Sequence, residues 1–338
     1  MRRATIKDVA RRAKVSRATI DRVIYARGYV SEQKRKAVLE AIKTLNFTPN
    51  RAAQALAKKR KCAIAVIYPT AERYFWSEVE HGIDAAAREY ENSGLIVIKR
   101  RIEKFDVEKQ RKLLEQALND GIDGVAFAPA HPSKLNPLIS QLVDKHIPVV
   151  TFNHDAPDSV RLCYVGQNLL RSGELAADLM ALFLRDRGKV AILRHRSGVL
   201  ERESAFTRRM RQEYPKIDIV GHFNYRQSEE RAYRLTHEIC RDNPDLNGLY
   251  VTNVNVYVVG RAIKELRLRR KIRIVGFDMT EETKRLIKNG VIDAVIKQEP
   301  FRQGYEPIRI LHDVLYKGER PRNPLVHTKS EIILKGNV

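Results

Sequence analysis

The sequence predicts an α/β protein with an N-terminal all-α helix-turn-helix headpiece and a larger, two-lobed body built on two doubly wound parallel sheets. The chain of 338 residues carries a formal net charge of +22, and residues 1–61 alone hold 18 Lys and Arg against 4 Asp and Glu. From residue 62 onward, short apolar runs alternate with helical patterns, which is typical of parallel sheets covered on both faces. This length also suggests two or more domains.

The basic N-terminus contains two short amphipathic runs in ATIKDVARRAKVSRATIDRVI, residues 4–24. Thr5 can cap the first helix, and Ser16 can cap the second after the AKVS break. A third helix starts after Ser31, so three short helices form one small core and the first two form a helix-turn-helix. A basic terminus can also be a solubilising tail. This one has helical periodicity, and a folded basic module indicates nucleic acid binding.

The second helix would lie in the major groove and present its early residues to base edges. Arg17, Ala18 and Arg22 face outward in this pattern. The arginine fork matches the two acceptors of guanine, whereas alanine offers only a methyl contact. The alternative is that these three are ordinary solvated surface residues. The charge asymmetry and the helix pattern together favour base contacts.

The segment TPNRAAQALAKKRK, residues 48–61, predicts a short hinge helix. Pro49 ends the preceding element and Asn50 can cap a helix of about nine residues, which is too short to persist alone in water. Leu56 is the one large apolar side chain on this slim, alanine-rich helix, which suits a wedge in the minor groove. The alternative is a linker helix that packs Leu56 against the neighbouring domain.

The body contains about eleven predicted strands, which is too many for one compact sheet of this kind and indicates two lobes. The late segment VIDAVIKQEP is expected to cross back into the first lobe. The predicted domains are a headpiece at 1–48, a hinge helix and linker at 49–61, and an effector-binding and dimerisation domain at 62–338, with lobe 1 at about 62–163 and 296–326 and lobe 2 at about 164–295 and 327–338.

Ligands of such sheets bind beyond the carboxyl ends of the strands, so residues that follow the strands are candidate effector contacts. These residues are polar, with aromatic side chains at one mouth, which suits a hydroxyl-rich small molecule. Polar residues at strand ends can equally be ordinary loop residues, but this set shares one face. The candidate effector-binding residues are Arg73, Phe75, Trp76, Asn153, His154, Arg202, Asn253, Asp278 and Gln298.

The first sixty residues resemble the DNA-binding headpiece of the lactose-repressor (LacI/GalR) family of bacterial transcription regulators. The similarity lies in the T-I-x-D-V-A opening, the V-S-x-x-T turn and the hinge P-N-x-x-A-x-x-L. The resemblance implies that Arg17, Ala18 and Arg22 read bases. It further implies phosphate contacts by Thr5, Ser16, Thr19 and Tyr29, and minor-groove contacts at the centre of a palindrome by Asn50, Ala53 and Leu56.

Two positions depart from the family pattern. The family usually has serine where this chain has Asp21, and asparagine where it has Tyr25. A carboxylate close to phosphate would be repelled. Asp21 therefore either turns toward a cation such as Arg17 or Arg22 or marks an altered docking, and the operator sequence does not follow from the resemblance.

The body resembles the periplasmic sugar-binding-protein fold, particularly its ribose-binding branch, through IPVVTFNH, RESAF, YVTN, IVGFD and IKQEP. The resemblance implies that Phe75 and Trp76 stack on a sugar. It also implies that hydroxyls are held by Asp278 and Arg202, with Asn253 and Gln298 completing the ring of contacts.

One position pair argues against ribose itself. The ribose branch usually has Asp-Arg where this chain has Asn153 and His154, so a carboxylate is missing and a cation is weaker. Arg73 nearby suggests an acidic ligand as an alternative.

These features together predict a sequence-specific transcriptional regulator, a repressor in the first instance, that acts as a homodimer on palindromic double-stranded DNA. A small sugar or sugar derivative in the cleft between the lobes would control its operator affinity. One alternative is a sugar sensor that acts through a protein partner. Another is a sugar-modifying enzyme with a regulatory headpiece.

The sequence carries no motif for catalysis, for a cofactor or for a metal. It lacks the glycine-rich phosphate loops, the G-x-S-x-G elbow and paired Cys/His metal spacings. No apolar run is long enough to span a membrane, and no signal peptide is recognised. The three cysteines, Cys62, Cys163 and Cys240, are widely spaced, which indicates reduced thiols. We therefore predict a cytoplasmic, nucleoid-associated bacterial protein without catalytic residues, metal or cofactor.

Overall fold

A computed structural model of the chain describes residues 6–16, 19–20, 23, 30–45, 61–71, 73–195, 200–226, 228–269 and 271–338. The chain divides into two compact units, Met1–Arg60 and Lys61–Val338. In the first unit, the described helices are α1 (Ile6–Ala13) and α2 (Glu32–Thr44). Its small core consists of Val9, Ile20, Val38 and Ala41, all of which are buried.

The first sheet of the second unit has six strands, all parallel, in the order β11-β5-β4-β3-β1-β2. Its strands are β1 (Cys62–Pro69), β2 (Leu95–Ile102), β3 (Gly124–Phe127), β4 (Val149–Phe152), β5 (Cys163–Gln167) and β11 (Leu325–Thr328). The helices that accompany it are α3 (Arg73–Tyr90), α4 (Val107–Asn119), α5 (Asn136–Asp144) and α11 (Pro300–His312).

The second sheet repeats this arrangement in the order β12-β10-β9-β8-β6-β7, and among the described strands only β10 and β12 pair antiparallel. Its strands are β6 (Gly188–Arg194), β7 (Ile217–Asn224), β8 (Gly248–Val251), β9 (Arg273–Phe277), β10 (Ala294–Lys297) and β12 (Glu331–Ile333). Its helices are α6 (Leu169–Leu184), α7 (Glu201–Glu213), α8 (Glu229–Asp242), α9 (Val256–Glu265) and α10 (Glu281–Lys288).

The sequence explains why these elements form where they do. The central strands β3, β4 and β8 are buried along their whole length and are apolar except for Thr151 in β4, as expected for parallel strands between helix layers. Several helices begin at a residue whose side chain accepts a hydrogen bond from the first turn. Asp106 does so from Lys109 N at 3.0 Å, and Asn168 does so from Arg171 N at 3.0 Å.

The chain passes between the two sheets three times: after β5, after β10 and after β11. Each passage lies a few residues later than the sequence suggested, because each strand runs on to Gln167, Lys297 or Thr328 before it leaves its sheet. Gln167 and Thr328 are partners in the ladder between β5 and β11. A strand can leave its sheet only after its backbone ladder ends, and apolar composition alone does not mark that point.

Candidate functional site

Polar side chains follow the central strands of both sheets. Asn153 comes directly after β4, and its backbone N–H donates to Val165 O on β5 at 3.0 Å. Asp278 comes directly after β9, and its backbone N–H donates to Ile296 O on β10 at 3.1 Å. Both side chains are buried. Carboxyl ends of parallel strands are where ligands of open α/β sheets bind.

These strand ends open onto one cavity of about 100 Å³. It is lined by Phe75, Trp76, Phe105, Asn153, His154, Leu169, His195, Arg202, Glu203, Thr252, Asn253, Asp278 and Gln298. Eight of the nine effector-binding candidates named from the sequence are therefore brought together here. Both sheets and the connections that follow them contribute to the lining.

Arg73 is the ninth candidate, and the structure does not bring it into this cavity. Its side chain is exposed and lines a separate depression with Trp76, Glu80 and Arg101, among others. Arg73 and Tyr74 lie on the outer face of the first turn of α3, whereas Phe75 and Trp76 point into the core. The suggestion of an acidic ligand near Arg73 therefore has no support from the geometry.

Aromatic rings form the wall contributed by the first sheet. The Trp76 ring meets Phe75 edge-on with centroids 5.2 Å apart and meets Phe105 edge-on at 5.8 Å. Phe105 in turn lies 4.8 Å from the His154 ring. Phe75 and Trp76 belong to the core of the first sheet as well as to the cavity, so their ring positions are held by packing. Such a wall offers apolar ring faces to a ligand.

Arg202, in the first turn of α7, is the central cation of the site. Its Nη2 donates to Gln167 Oε1 at 2.6 Å and to Gln298 Oε1 at 3.1 Å, and its Nη1 donates to Thr252 O at 3.0 Å. The guanidinium carbon lies 3.9 Å from the centroid of the Phe277 ring. Burial lowers the pKa of Arg202, and the nearby carboxylate of Asp278 opposes that shift. Arg202 thus joins the ends of β5 and β10, which belong to different sheets.

Asp278 and Gln298 form the second polar pair. Gln298 Nε2 donates to both carboxylate oxygens of Asp278, at 3.1 and 2.8 Å. On the adjoining strand, Asn253 Oδ1 accepts from the Tyr225 hydroxyl and from Asn255 N. These contacts fix the rotamers of groups that can accept or donate hydrogen bonds within the cavity.

Glu203 adds a buried carboxylate to the cavity beside Arg202. Its Oε1 lies 3.2 Å from Arg194 Nη1 and 2.5 Å from His222 Nδ1. The carboxylate is thus held by one cation and one imidazole, from β6 and β7, and still faces the ligand space.

The sequence did not identify five of the lining residues. Reading the residues that follow each strand could have found His195 after β6 and Thr252 after β8, because both immediately follow a strand. Glu203 adjoins Arg202 in the RESAF motif. Phe105 and Leu169 are apolar, so a search for polar strand ends passed over them. No group of three or more metal-ligating side chains occurs among the residues that the structure describes.

Most DNA-binding candidates lie outside the described residues; these are Thr5, Arg17, Ala18, Arg22, Tyr29, Asn50, Ala53 and Leu56. Asp21 and Tyr25 lie outside them too. Ser16 and Thr19 are described. Ser16 Oγ accepts from Thr19 N at 3.3 Å and lies 3.0 Å from Thr19 Oγ1, and Ser16 O accepts from Ile20 N at 3.2 Å. This is the hydrogen-bonding pattern of a residue that caps the start of a helix.

Two family descriptions match separate parts of the chain. Residues 5–50 match "Bacterial regulatory proteins, lacI family", and residues 64–320 match "Periplasmic binding protein domain". The ribose operon repressor of Halalkalibacterium halodurans is 28% identical over 284 residues, which cover 81% of this chain and 80% of that protein. Catabolite control protein A of Staphylococcus epidermidis is 34% identical over 155 residues, 46% of this chain and 45% of that protein.

The body is also similar to solved structures of sugar-binding proteins. A sugar-binding protein of a sugar ABC transporter from Bacillus halodurans superposes with a TM-score of 0.73 at 27% identity, and the match covers 81% of this chain and 98% of that one. Among the described residues, no helix is long and apolar enough to cross a bilayer.

Proposed function

From the premise that this chain belongs to the periplasmic binding protein domain family and carries a lacI-family regulatory domain at its N-terminus, we propose that it is a transcriptional regulator. A small sugar-like effector controls its affinity for operator DNA. The observation that carries the proposal is the cavity between the strand ends of the two sheets. Eight residues selected only for their positions after strands and in sugar-binding motifs line it together.

The cavity favours a neutral, hydroxyl-rich effector over an acidic one. Two of its lining side chains, Asp278 and Glu203, are carboxylates, and Arg73 lies outside it. Among the described residues, Arg202 supplies the one guanidinium that lines the cavity, and it is already bonded to two glutamine side chains. The space of about 100 Å³ is small beside the range of about 300–1,000 Å³ typical of sites for drug-sized ligands. A single sugar ring therefore suits it better than an oligosaccharide.

The DNA contacts are proposed for the headpiece, where 18 Lys and Arg outnumber 4 Asp and Glu in residues 1–61. We propose that Arg17, Ala18 and Arg22 contact base edges in the major groove. Leu56 would enter the minor groove at the centre of a palindrome. The implied phosphate contacts are Thr5, Ser16, Thr19 and Tyr29, and the implied minor-groove neighbours of Leu56 are Asn50 and Ala53.

Control would pass through the three connections between the sheets. A ligand that contacts both sheets favours one angle between them, and this angle sets the position of Lys61, where the body joins the hinge segment. Hinge helices of two protomers would order only together and on DNA. Coupling free energies in such systems are typically about 1–3 kcal/mol. We propose a homodimer that acts in the bacterial cytoplasm on nucleoid DNA. Its relatives are regulators and not enzymes.

The test uses the full chain and a duplex selected from a random pool by the wild-type protein. Binding should be sequence-selective and should weaken steeply between low and moderate salt, because phosphate contacts release counterions. A monosaccharide that raises the melting temperature should also change the affinity for the selected duplex. If the protein selected no sequence from the pool, the proposal of a sequence-specific regulator would be wrong. Ligand binding without an effect on DNA would instead favour a sensor that acts through a protein partner.

Two variants test the assigned DNA contacts. Arg22→Ala should relax sequence preference at one base position at a cost of about 1–3 kcal/mol, not weaken all sequences equally. Leu56→Ala should weaken binding to the selected duplex without lowering the melting temperature of the protein. Unchanged preference in the first variant, or unchanged affinity in the second, would remove that residue from the interface.

A further inference from the structure

Gln303 is a completely buried glutamine in the first turn of α11, and it lies behind the cavity wall. Its Nε2 donates to the backbone carbonyl of Gln298 at 2.8 Å. Its Oε1 accepts from Asn153 Nδ2 at 3.1 Å. Gln303 does not line the cavity, but both of its partners do. It therefore connects a contact residue of the first sheet to one at the end of β10.

These two bonds fix the polarity of the Asn153 amide. A backbone carbonyl can only accept, so the Gln303 amide must turn its NH₂ toward Gln298 O. The Gln303 oxygen then faces Asn153, and the side-chain NH₂ of Asn153 must donate to it. Asn153 Oδ1 consequently points the other way and has no hydrogen-bond partner among the described residues. The orientation follows from the acceptor-only carbonyl, not from a choice between two similar amide positions.

We propose that Gln303 is a positioning residue for effector recognition: it holds Asn153 with the carbonyl oxygen toward the ligand, so that the effector must place a hydrogen-bond donor there. This inference rests on the proposed function. A sugar hydroxyl meets the requirement, whereas a ring oxygen, a carboxylate or a fluorine cannot donate. Without Gln303, the Asn153 amide could flip and present either its oxygen or its NH₂ to the ligand.

On the opposite side of the site, a second chain of hydrogen bonds fixes the orientation of the Gln298 amide. The Asp278 carboxylate can only accept, so it takes the NH₂ of Gln298 and leaves Gln298 Oε1 for the donors of Arg202. Two separate acceptor groups therefore set the amide orientations around the ligand: the Gln298 backbone carbonyl, through Gln303, and the Asp278 carboxylate. Only the orientation of the Asn153 amide depends on Gln303.

The first experiment needs no effector. Gln303→Met keeps the volume of the side chain but removes both hydrogen bonds, and Gln110→Met is the matched control. Gln110 is also fully buried, and it bonds Ala128 O at 2.6 Å and Ala130 N at 2.7 Å, away from the cavity. The readout is the side-chain NH₂ signal of Asn153 in the ¹⁵N-labelled full chain, identified by its loss in Asn153→Asp.

In Gln303→Met, this signal should shift and exchange with solvent at least about tenfold faster, since a buried hydrogen bond is lost. In Gln110→Met it should match the wild type. An unchanged Asn153 signal in Gln303→Met would overturn the inference whatever the protein binds.

The second experiment measures recognition with D-ribose, D-arabinose, D-fucose, D-glucose and D-galactose as probes. For any sugar that binds the wild type, Gln303→Met should weaken binding about tenfold, equivalent to roughly one hydrogen bond. The same change in an Asn153→Ala background should have no further effect. Wild-type affinity in Gln303→Met, or an equal loss in both backgrounds, would contradict the positioning role. If none of the five sugars binds, the proposal of a sugar-like effector is wrong. The NMR experiment still decides whether Gln303 positions Asn153.

Discussion

Asn153 and Asp278 hold equivalent positions in the two sheets and share an unusual backbone conformation, with φ of 63° and 62° respectively. Each follows the fourth strand of its lobe and donates its N–H to the next strand, β5 or β10. The left-handed region is unfavourable for residues with a Cβ atom. The repeated arrangement therefore places one polar residue from each sheet in this strained region at the cavity, and Asn and Asp tolerate the region better than other residues with a Cβ atom.

Glycine and alanine variants should distinguish the cost of the backbone conformation from the cost of losing the polar side chain, because both variants lose the side chain and only glycine tolerates positive φ. Asn153→Gly should be more stable than Asn153→Ala by about 1 kcal/mol, since glycine adopts positive φ without a steric penalty. The same order should hold at Asp278, and urea unfolding of the full chain measures both pairs. Ser204, inside α7, is the control because alanine should be the more stable there. Equal stability of the glycine and alanine variants at both sites would rule out the strain.

Arg202→Lys should disable the site although it preserves the charge. A lysine ammonium cannot span the two glutamine oxygens and the Thr252 carbonyl that the guanidinium holds. Leaving buried acceptors without a donor should cost about 1–3 kcal/mol of unfolding free energy. Sugar-induced thermal stabilisation should also be lost.

The control for Arg202 lies on the same helix. Arg208 is half exposed and pairs with Glu174 at 2.7 Å, so Arg208→Lys should change stability by less than about 0.5 kcal/mol. If both lysine variants unfolded alike, the bonds between Arg202 and the strand ends would not be stabilising.

Glu203→Gln should shift the ligand preference toward acids. The substitution removes a negative charge from the cavity while Arg194 and His222 remain beside it. We expect the ratio of affinities for D-galacturonate over D-galactose to rise about tenfold, the effect of one charge change at roughly 1.4 kcal/mol. Isothermal titration calorimetry measures the ratio, and Glu201→Gln, an exposed residue in the same helical turn, should leave it unchanged.

The sequence was sufficient to find the layers of the body because continuous apolar strands and amphipathic helices have different periods. It located most of the cavity because the ends of parallel strands meet at one edge. It misplaced Arg73 because a strand-to-helix connection identifies a region of chain, not which side of the first helical turn faces the ligand. The same limit hid Glu203, whose position depends on contacts with Arg194 and His222 from two neighbouring strands.

Gly304→Ala should loosen the contact between α11 and α3. A Cβ at Gly304 would lie 1.9 Å from Val79 O, and one at Gly82 would lie 1.9 Å from Phe301 O. Because backbone atoms cannot rotate away, the two helices would have to separate, at a cost of about 1–3 kcal/mol. Differential scanning calorimetry should show a lower melting temperature. Gly336→Ala, where a Cβ would meet nothing within 4 Å, should melt like the wild type, and equal melting of both variants would contradict the close helix contact.

His312 should make the stability of the body depend on pH near neutrality. Its ring is stacked between Tyr90, at a centroid distance of 4.1 Å, and Tyr316, at 4.9 Å. Burial lowers the pKa of His312 from its ordinary value of 6.5, although the hydrogen bond to Asp313 works in the opposite direction. The unfolded chain therefore binds the proton first as the pH falls. The contribution of His312 to stability is complete above about pH 6.5 and decreases below it.

The carboxylate that bonds the ring does not titrate in the same window. Burial of Asp313 raises the pKa of its carboxyl, but the hydrogen bonds with Lys317 and His312 outweigh burial and lower that pKa below the usual value of 3.8. His312→Phe keeps an aromatic ring between the two tyrosines and cannot bind a proton. Urea unfolding at pH 5.5 and 7.5 should therefore show a smaller loss of stability at pH 5.5 in His312→Phe than in the wild type. An equal loss in both proteins would assign the pH dependence to other groups, because stacking and packing are the same at the two pH values.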